Sequence, residues 1–181
     1  MKEKLKKIES IKGDITDIEI DAIVNAVNNS LLGGGGVDGA IHRAAGSELV
    51  EECKKINEVK DEGRCPTGEA RITKGYRLPA KYVIHTVGPI YDENSKEENE
   101  KLLTSCYENS LKLAVENNIK TIAFPAISCG IYGYPIKDAC KIAVGTALKF
   151  IESNPSIEKV YFINYSDDNK EVYDDYIASL S

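Results

Sequence analysis

The stretch Ala22-Ile23-Val24-Asn25-Ala26-Val27, then Asn28-Asn29-Ser30-Leu31-Leu32, then Gly33-Gly34-Gly35-Gly36-Val37-Asp38 decides the fold. Ala22 to Val27 is a short apolar run of the kind that forms a strand buried on both faces. The segment from Asp38 to about Ile56 reads as a helix. Between them stand four consecutive glycines, which are costly in chain entropy and so mark a need for positive φ or close backbone approach. A glycine loop feeding a helix N-terminus presents several N–H donors and the positive end of the helix dipole. A flexible linker is the competing reading, but the glycines lie between a buried strand and an apolar helix, not between domains.

Outward from that stretch the pattern alternates. Leu5 to Ile11 and Ile15 to Ile20 read as short strands, as do Glu69 to Lys74 and Tyr82 to Val87, which are rich in β-branched residues. Glu97 to Asn118 has helical periodicity through Leu102, Leu103, Tyr107, Leu111 and Val115 and stops at Asn117-Asn118. Thr121 to Phe124 is a strand ended by Pro125, and Pro135 suits the start of a helix over Ile136 to Ile151. Lys159 to Asn164 is a strand and Glu171 to Leu180 a last helix. Strands alternating with helices of this length imply an α/β fold with a largely parallel sheet covered on both faces. Ligands in such folds sit beyond the carboxyl ends of the strands. Two loops then share one crevice: Asn28 to Asp38, and Ala126 to Tyr134.

The glycine loop fits no common phosphate motif. Gly34 to Gly39 formally matches G-x-G-x-x-G, but six residues separate it from Val27, whereas a Rossmann turn wants glycine at the strand end. No Gly-Lys dipeptide occurs, which excludes a P-loop. The second loop, Ser128-Cys129-Gly130-Ile131-Tyr132-Gly133-Tyr134, offers further donors from the opposite side, and two facing donor loops suit a diphosphate. Ala126 to Gly130 departs by one residue from the G-x-S-x-G nucleophile elbow, and the helix that should follow the serine waits until Pro135. Ser128 therefore reads as a loop-shaping hydroxyl. A Ser-His hydrolase would need His42 or His85 within its reach.

Asparagine is disfavoured inside strands, so Asn25 and Asn28 at the end of a buried strand point to hydrogen-bonding side chains. Turn chemistry alone accounts for Asn28 and Asn29 more readily than for Asn25. Asp38 at a helix start could be a plain N-cap. His42, four residues on, shares its helical face and either supports Asp38 or packs. His85, inside a strand, reads as a packed core histidine.

Bulk properties narrow the function. A chain of 181 residues suits one domain spanning residues 1–181, with a core that needs no staples. No stretch approaches the ~20 apolar residues of a membrane helix, and Met1 to Ser10 lacks the apolar core of a secretory signal. The five cysteines are scattered, with no C-x-x-C, which fits reduced thiols in the cytoplasm. Two histidines cannot build a His-rich metal site. The net charge of −6, with no dense Lys/Arg run, argues against tracking along a nucleic-acid backbone. An anionic ligand must be held by local dipoles.

Several segments together resemble the macrodomain family, in particular its MacroD-type branch. They are Gly13-Asp14-Ile15-Thr16, Asp21 to Ala26 with Asn28, Ser30 to Gly46, Cys65-Pro66-Thr67-Gly68, Leu78 to Pro89, and Phe124 to Pro135. The run Leu31 to Gly39 with its aspartate at Asp38 is similar to the hydrolytic members; viral relatives lack that acid. The resemblance spans nearly the whole chain and implies a three-layer α/β/α domain with a central mixed, largely parallel sheet and an ADP-ribose cleft. By resemblance, Asp14 accepts from the adenine amino group with help from the Ile15 backbone, and Tyr165 lies against adenine. Asn25 and Asn28 contact the distal ribose. Gly35, Gly36 and Val37 form one diphosphate loop, and Ser128, Cys129, Gly130, Ile131 and Tyr132 the other. Asn28, Asp38 and His42 are the catalytic set. Val27, where alanine is usual in the family, and Cys129, where threonine is common, are departures that could retune the distal ribose pocket.

The implied substrates are O-acetyl-ADP-ribose and proteins mono-ADP-ribosylated on aspartate or glutamate, cleaved by a positioned water without metal or cofactor. The implied protein is a monomer that engages no membrane, and no nucleic acid except ADP-ribosylated ends. A carboxylate at a helix N-terminus is a poor base, so Asp38 is expected to position the water, with base duty shared between it and the ligand's phosphate. A non-catalytic ADP-ribose reader is the alternative, and the pair Asn28 and Asp38 favours the enzyme.

Overall fold

The computed structural model describes residues 2–181, in which six strands form one sheet. In chain order the elements are α1 (Lys2–Leu5), β1 (Ile8–Lys12), β2 (Ala22–Ala26), α2 (Gly36–Ala45), α3 (Ser47–Lys54), β3 (Ala70–Lys74), β4 (Tyr82–Thr86), α4 (Lys96–Glu116), β5 (Thr121–Phe124), α5 (Ile136–Ser153), β6 (Lys159–Asn164) and α6 (Asp167–Ser179). The strand order is β1-β6-β5-β2-β4-β3. Every pairing is parallel except β3 with β4, which is antiparallel.

Side chains alternate across the sheet and so build two cores. Ala22, Val24, Ile84, Ile122, Phe124, Val160 and Phe162 face α4, α5 and α6. Ile23, Val83, Ala123 and Ile163 face the other way, onto Ile41 and Ala45 of α2 and Leu49 and Cys53 of α3. The result is the expected three-layer α/β/α sandwich. In β2 the alternation places Asn25 on the same face as Ile23, beneath α2.

Four elements differ from the sequence expectations. The first strand starts at Ile8, not Leu5, which instead closes the short helix α1. Ile15 to Ile20 is not a strand: Ile15–Asp17 forms a single 3-10 turn capped by Asp14, whose side chain accepts from the Thr16 amide. That one local bond closes the turn and lets Ile15 bury fully. The helix expected from Asp38 to Ile56 is two helices, because Gly46 adopts φ +87°, a conformation no right-handed helix accommodates. The last helix begins four residues earlier than expected, at Asp167, where the Ser166 side chain accepts from the Asn169 amide as an N-cap. Among the described residues no helix is long and apolar enough to cross a membrane.

Candidate active site

β2 and β5 are adjacent parallel strands, so the loops leaving their carboxyl ends emerge side by side. The first loop is anchored before the glycines begin. Asn28 closes a turn on itself, its Oδ1 accepting from the Ser30 amide at 3.0 Å and the Ser30 hydroxyl at 2.5 Å. Leu31 is buried in the α2-side core with a left-handed backbone, φ +62°. Asn29 ties the loop to its neighbour: its carbonyl accepts from the amides of Arg64 and Cys65, and its Nδ2 donates to Cys65 O at 2.9 Å. Gly33 and Gly36 have φ of +102° and +58°, so the positive φ expected of the run is present.

The loop ends in exposed backbone donors. Gly34, Gly35 and Gly36 are exposed and Val37 half-buried. Among the described residues, none of their four amides donates to a protein acceptor, as befits the first turn of a helix. The second loop does the same. Its turn uses the amides of Cys129, Gly133 and Tyr134, which donate to Ala126 O, Gly130 O and Ser128 O. Those of Ser128, Gly130, Ile131 and Tyr132 are left without a protein acceptor among the described residues. Ser128 is held at φ +66° and Ile131 stands 97% exposed at the tip. The Tyr91 amide donates to Tyr132 O at 2.8 Å and braces this loop from the segment after β4.

Asp38 is not an N-cap. Gly35 occupies that position, and the Asp38 carboxylate, only 4% exposed, turns inward. Its Oδ1 accepts from Asn25 Nδ2 at 2.9 Å and lies 3.2 Å from His42 Nε2, an ion-pair distance off the line of a hydrogen bond. Its Oδ2 has no protein partner and faces Gly34. A β-carbon built on Gly34 would stand 3.2 Å from that oxygen and 3.5 Å from Asn28 Nδ2. Asp38 and Asn28 therefore meet at one point, over the first glycine of the donor row. Asn28 is exposed, and its Nδ2 donates to Gly33 O at 3.1 Å, so it also shapes the loop.

Asn25 is fully buried and reaches Asp38, not the open cleft. Behind it stand residues that local sequence patterns had given no role beyond packing. His85, the register partner of Asn25 on β4, places Nδ1 3.4 Å from Asn25 Nδ2. Its Nε2 is 2.9 Å from Thr73 Oγ1 and 4.0 Å from Cys53 Sγ. Burial pushes the His85 pKa down to about 4, against the pull of Asp38, so the ring is neutral. The signal for this cluster was the placing of Asn25 and His85 in two strands that pair in register.

At the far end of the cleft, Asp14 Oδ1 accepts from the Thr16 amide and hydroxyl, which hold its carboxyl below the usual range. Tyr165, half exposed at the end of β6, donates its hydroxyl to the same oxygen at 3.3 Å. Asp14, Ile15 and Tyr165 are thus one cluster. Ser128 Oγ is buried without a partner, and neither imidazole touches it, so no Ser-His pair exists here. Burial raises the Cys129 thiol to about 12, which removes it as a nucleophile. A cavity of about 250 Å³ between Asn29, Thr67, Pro89, Leu102 and Tyr132 adjoins the two loops. A larger acidic groove of about 690 Å³ along α4, lined by Glu97, Glu100 and Glu108, includes none of the loop residues. No group of three potential metal ligands occurs among the described residues.

Comparison with known proteins agrees with this architecture. The Macro domain family matches residues 24–143. The O-acetyl-ADP-ribose deacetylase of Escherichia fergusonii is 52% identical over 167 residues, covering 92% of this chain and 93% of its own. The ADP-ribose glycohydrolase MACROD2 of Xenopus laevis is also 52% identical, over 169 residues that cover 93% of this chain and 39% of that longer protein. The structure of the Oceanobacillus iheyensis macrodomain with ADP superposes with a TM-score of 0.90 at 44% identity, covering 96% of this chain and 90% of that one. With both donor loops and the buried aspartate falling within the family match, and relatives of this identity covering nearly the whole chain, this chain belongs to the macro domain family.

Proposed function

We propose that the cleft binds ADP-ribose and that the protein hydrolyses ADP-ribosyl esters, releasing mono-ADP-ribose from acidic side chains and acetate from O-acetyl-ADP-ribose. The observation that carries this reading is the Asp38 carboxylate: buried, held by Asn25 on one oxygen, and with its other oxygen facing Gly34 at the head of a row of free amides. The names of the Escherichia and Xenopus relatives support the same chemistry.

The roles follow from position. The amides of Gly34 to Val37 and of Ser128 to Tyr132 face a diphosphate from two sides, and helix α2 adds its dipole. The Asp14, Ile15 and Tyr165 cluster takes the adenine, with the Tyr165 hydroxyl yielding Asp14 Oδ1 to the adenine amino group. The distal ribose then reaches Gly34, Asn28 and Asp38. Asp38 Oδ2 holds a water that adds to the ester; the products are ADP-ribose and the free carboxylic acid. Asp38 orients the water, and the proton it loses passes between this carboxylate and a diphosphate oxygen. His42 supports Asp38 from one turn along the helix, while Asn25 serves the ribose subsite indirectly, by fixing Asp38.

We place this domain in the cytoplasm, since its five cysteines are all unpaired, and take it to act as a monomer on ADP-ribosylated proteins and free O-acetyl-ADP-ribose. The test is release of ADP-ribose from a glutamate-modified protein by wild type and Asp38→Ala, with binding of free ADP-ribose measured in parallel. Binding without release in the wild type would make the domain a reader.

A further inference from the structure

We infer that His85 is a positioning residue for Asp38, acting through Asn25, and that its neutral ring must carry the proton on Nε2. Hydrogen accounting along the buried row leads there. Asn25 Nδ2 faces both Asp38 Oδ1 at 2.9 Å and His85 Nδ1 at 3.4 Å. An amide nitrogen has two protons and no free lone pair, so both neighbours must accept. His85 Nδ1 is therefore bare. The remaining ring proton sits on Nε2 and points to Thr73 Oγ1 at 2.9 Å, and the Thr73 hydroxyl passes its own proton to Lys74 O at 3.2 Å. Every donor in this row has an acceptor.

The consequence falls on Asp38. An asparagine amide is nearly symmetric in shape, and only its hydrogen-bond partners decide which end faces where. Were the Asn25 amide reversed, its carbonyl oxygen would stand about 2.9 Å from a carboxylate oxygen, acceptor against acceptor. In the observed orientation Asn25 Oδ1 has no partner, so the amide gains nothing from that end. The carboxylate sets which end of the amide faces it, and the bare Nδ1 of His85 takes the second amide proton and so steadies the donor that holds Asp38. The row crosses three strands, from Thr73 on β3 through His85 on β4 to Asn25 on β2, and ends beneath α2.

Two side chains separate the two ring nitrogens chemically. Asparagine at 85 keeps an acceptor near the position of Nδ1, whereas glutamine extends to the position of Nε2 and leaves Nδ1 unreplaced. This inference rests on the hydrolytic reading for its kinetic part only. The decisive experiment is long-range 1H–15N NMR of the imidazoles in the ligand-free wild type, together with single-turnover ester hydrolysis and ADP-ribose calorimetry of His85→Asn and His85→Gln. We expect an Nε2–H tautomer for His85 at neutral pH. We expect turnover of His85→Asn within about threefold of wild type and that of His85→Gln lower by about tenfold, with the ADP-ribose Kd of both within about twofold. An Nδ1–H tautomer, or equal losses in the two variants, overturns the inference. If the wild type proves to bind ADP-ribose without turnover, the hydrolytic reading fails and the tautomer alone decides the positioning role. The tautomer likewise decides if either variant fails to fold.

Discussion

Gly39 and the carbonyl of Gly34 meet across the first turn of α2: a β-carbon built on Gly39 would stand 2.6 Å from Gly34 O. The donor loop and the helix it feeds are therefore fitted to each other at a point with no room for a methyl group. Gly39→Ala must displace Gly34, because the obstacle is its backbone carbonyl. We expect a loss of about 1–3 kcal/mol in stability and a weakening of ADP-ribose binding by about fivefold or more. Thermal denaturation and calorimetry measure the two effects. An unchanged Kd would mean that Gly34 makes no part of the ligand site.

Binding should be nearly insensitive to salt. The proposed anion site consists of amides on two loops, in a protein of net charge −6. Few mobile surface cations contribute, so little screening is possible. The ADP-ribose Kd should change by less than about threefold between 50 and 200 mM salt. A steep loss would show that Lys or Arg side chains hold the diphosphate.

Stability should fall as the medium is acidified through the range set by His85. Its folded pKa, about 4, lies below the usual 6.5 because the ring is buried, with Asp38 pulling it up and His42 pushing it down. Between those values the unfolded chain binds a proton that the native ring refuses. The neutral-ring contribution is complete above about pH 6.5 and lost on going down to about 4, amounting to about 3 kcal/mol. Urea denaturation at a series of pH values should show wild type losing this much more than His85→Asn. Parallel curves for the two proteins would show that His85 titrates normally in the folded state.

The layers and both donor loops were legible in the sequence because they are local: β-branched strand runs, a four-glycine loop and helical periodicity each fit within one window. The 3-10 turn at Ile15–Asp17 was missed because alternating apolar residues mimic a strand, while the feature that closes the turn is one side-chain bond from Asp14. The break between α2 and α3 did have a signal, Gly46 followed by Ser47, which the apolar periodicity on both sides concealed. The site was half legible. Asp38 stands out at the helix start, but nothing local shows that it turns inward, since that depends on Asn25 lying beneath it on β2. The role of His85 could not be read at all without knowing that β2 and β4 pair with Asn25 opposite His85.

Asn28 and Asp38 should behave as one unit in turnover but differ in binding. They flank the same point over Gly34, so if they hold one water their kinetic losses will not add, and the double alanine variant should be little worse than the worse single one. Asn28 also bonds Ser30 and Gly33 within the loop. Asn28→Ala should therefore weaken ADP-ribose binding about threefold to tenfold, whereas Asp38→Ala should leave it within about twofold. Single-turnover rates and calorimetry on the three variants decide this. Fully additive kinetic losses would place the two residues on separate steps.

Asp38 positions the water that cleaves an ADP-ribosyl ester bound between two rows of backbone amides, in the reading proposed above. The most direct test is single-turnover release of ADP-ribose from a glutamate-modified protein, comparing wild type with Asp38→Ala and the near-isosteric Asp38→Asn, each first shown to bind free ADP-ribose. Positioning of a water is felt only as the transition state forms. Wild type should release ADP-ribose, and release by both variants should fall by about a hundredfold or more, with ADP-ribose affinity retained. Wild-type rates in Asp38→Ala, or no release by a wild type that binds ADP-ribose, would contradict this reading.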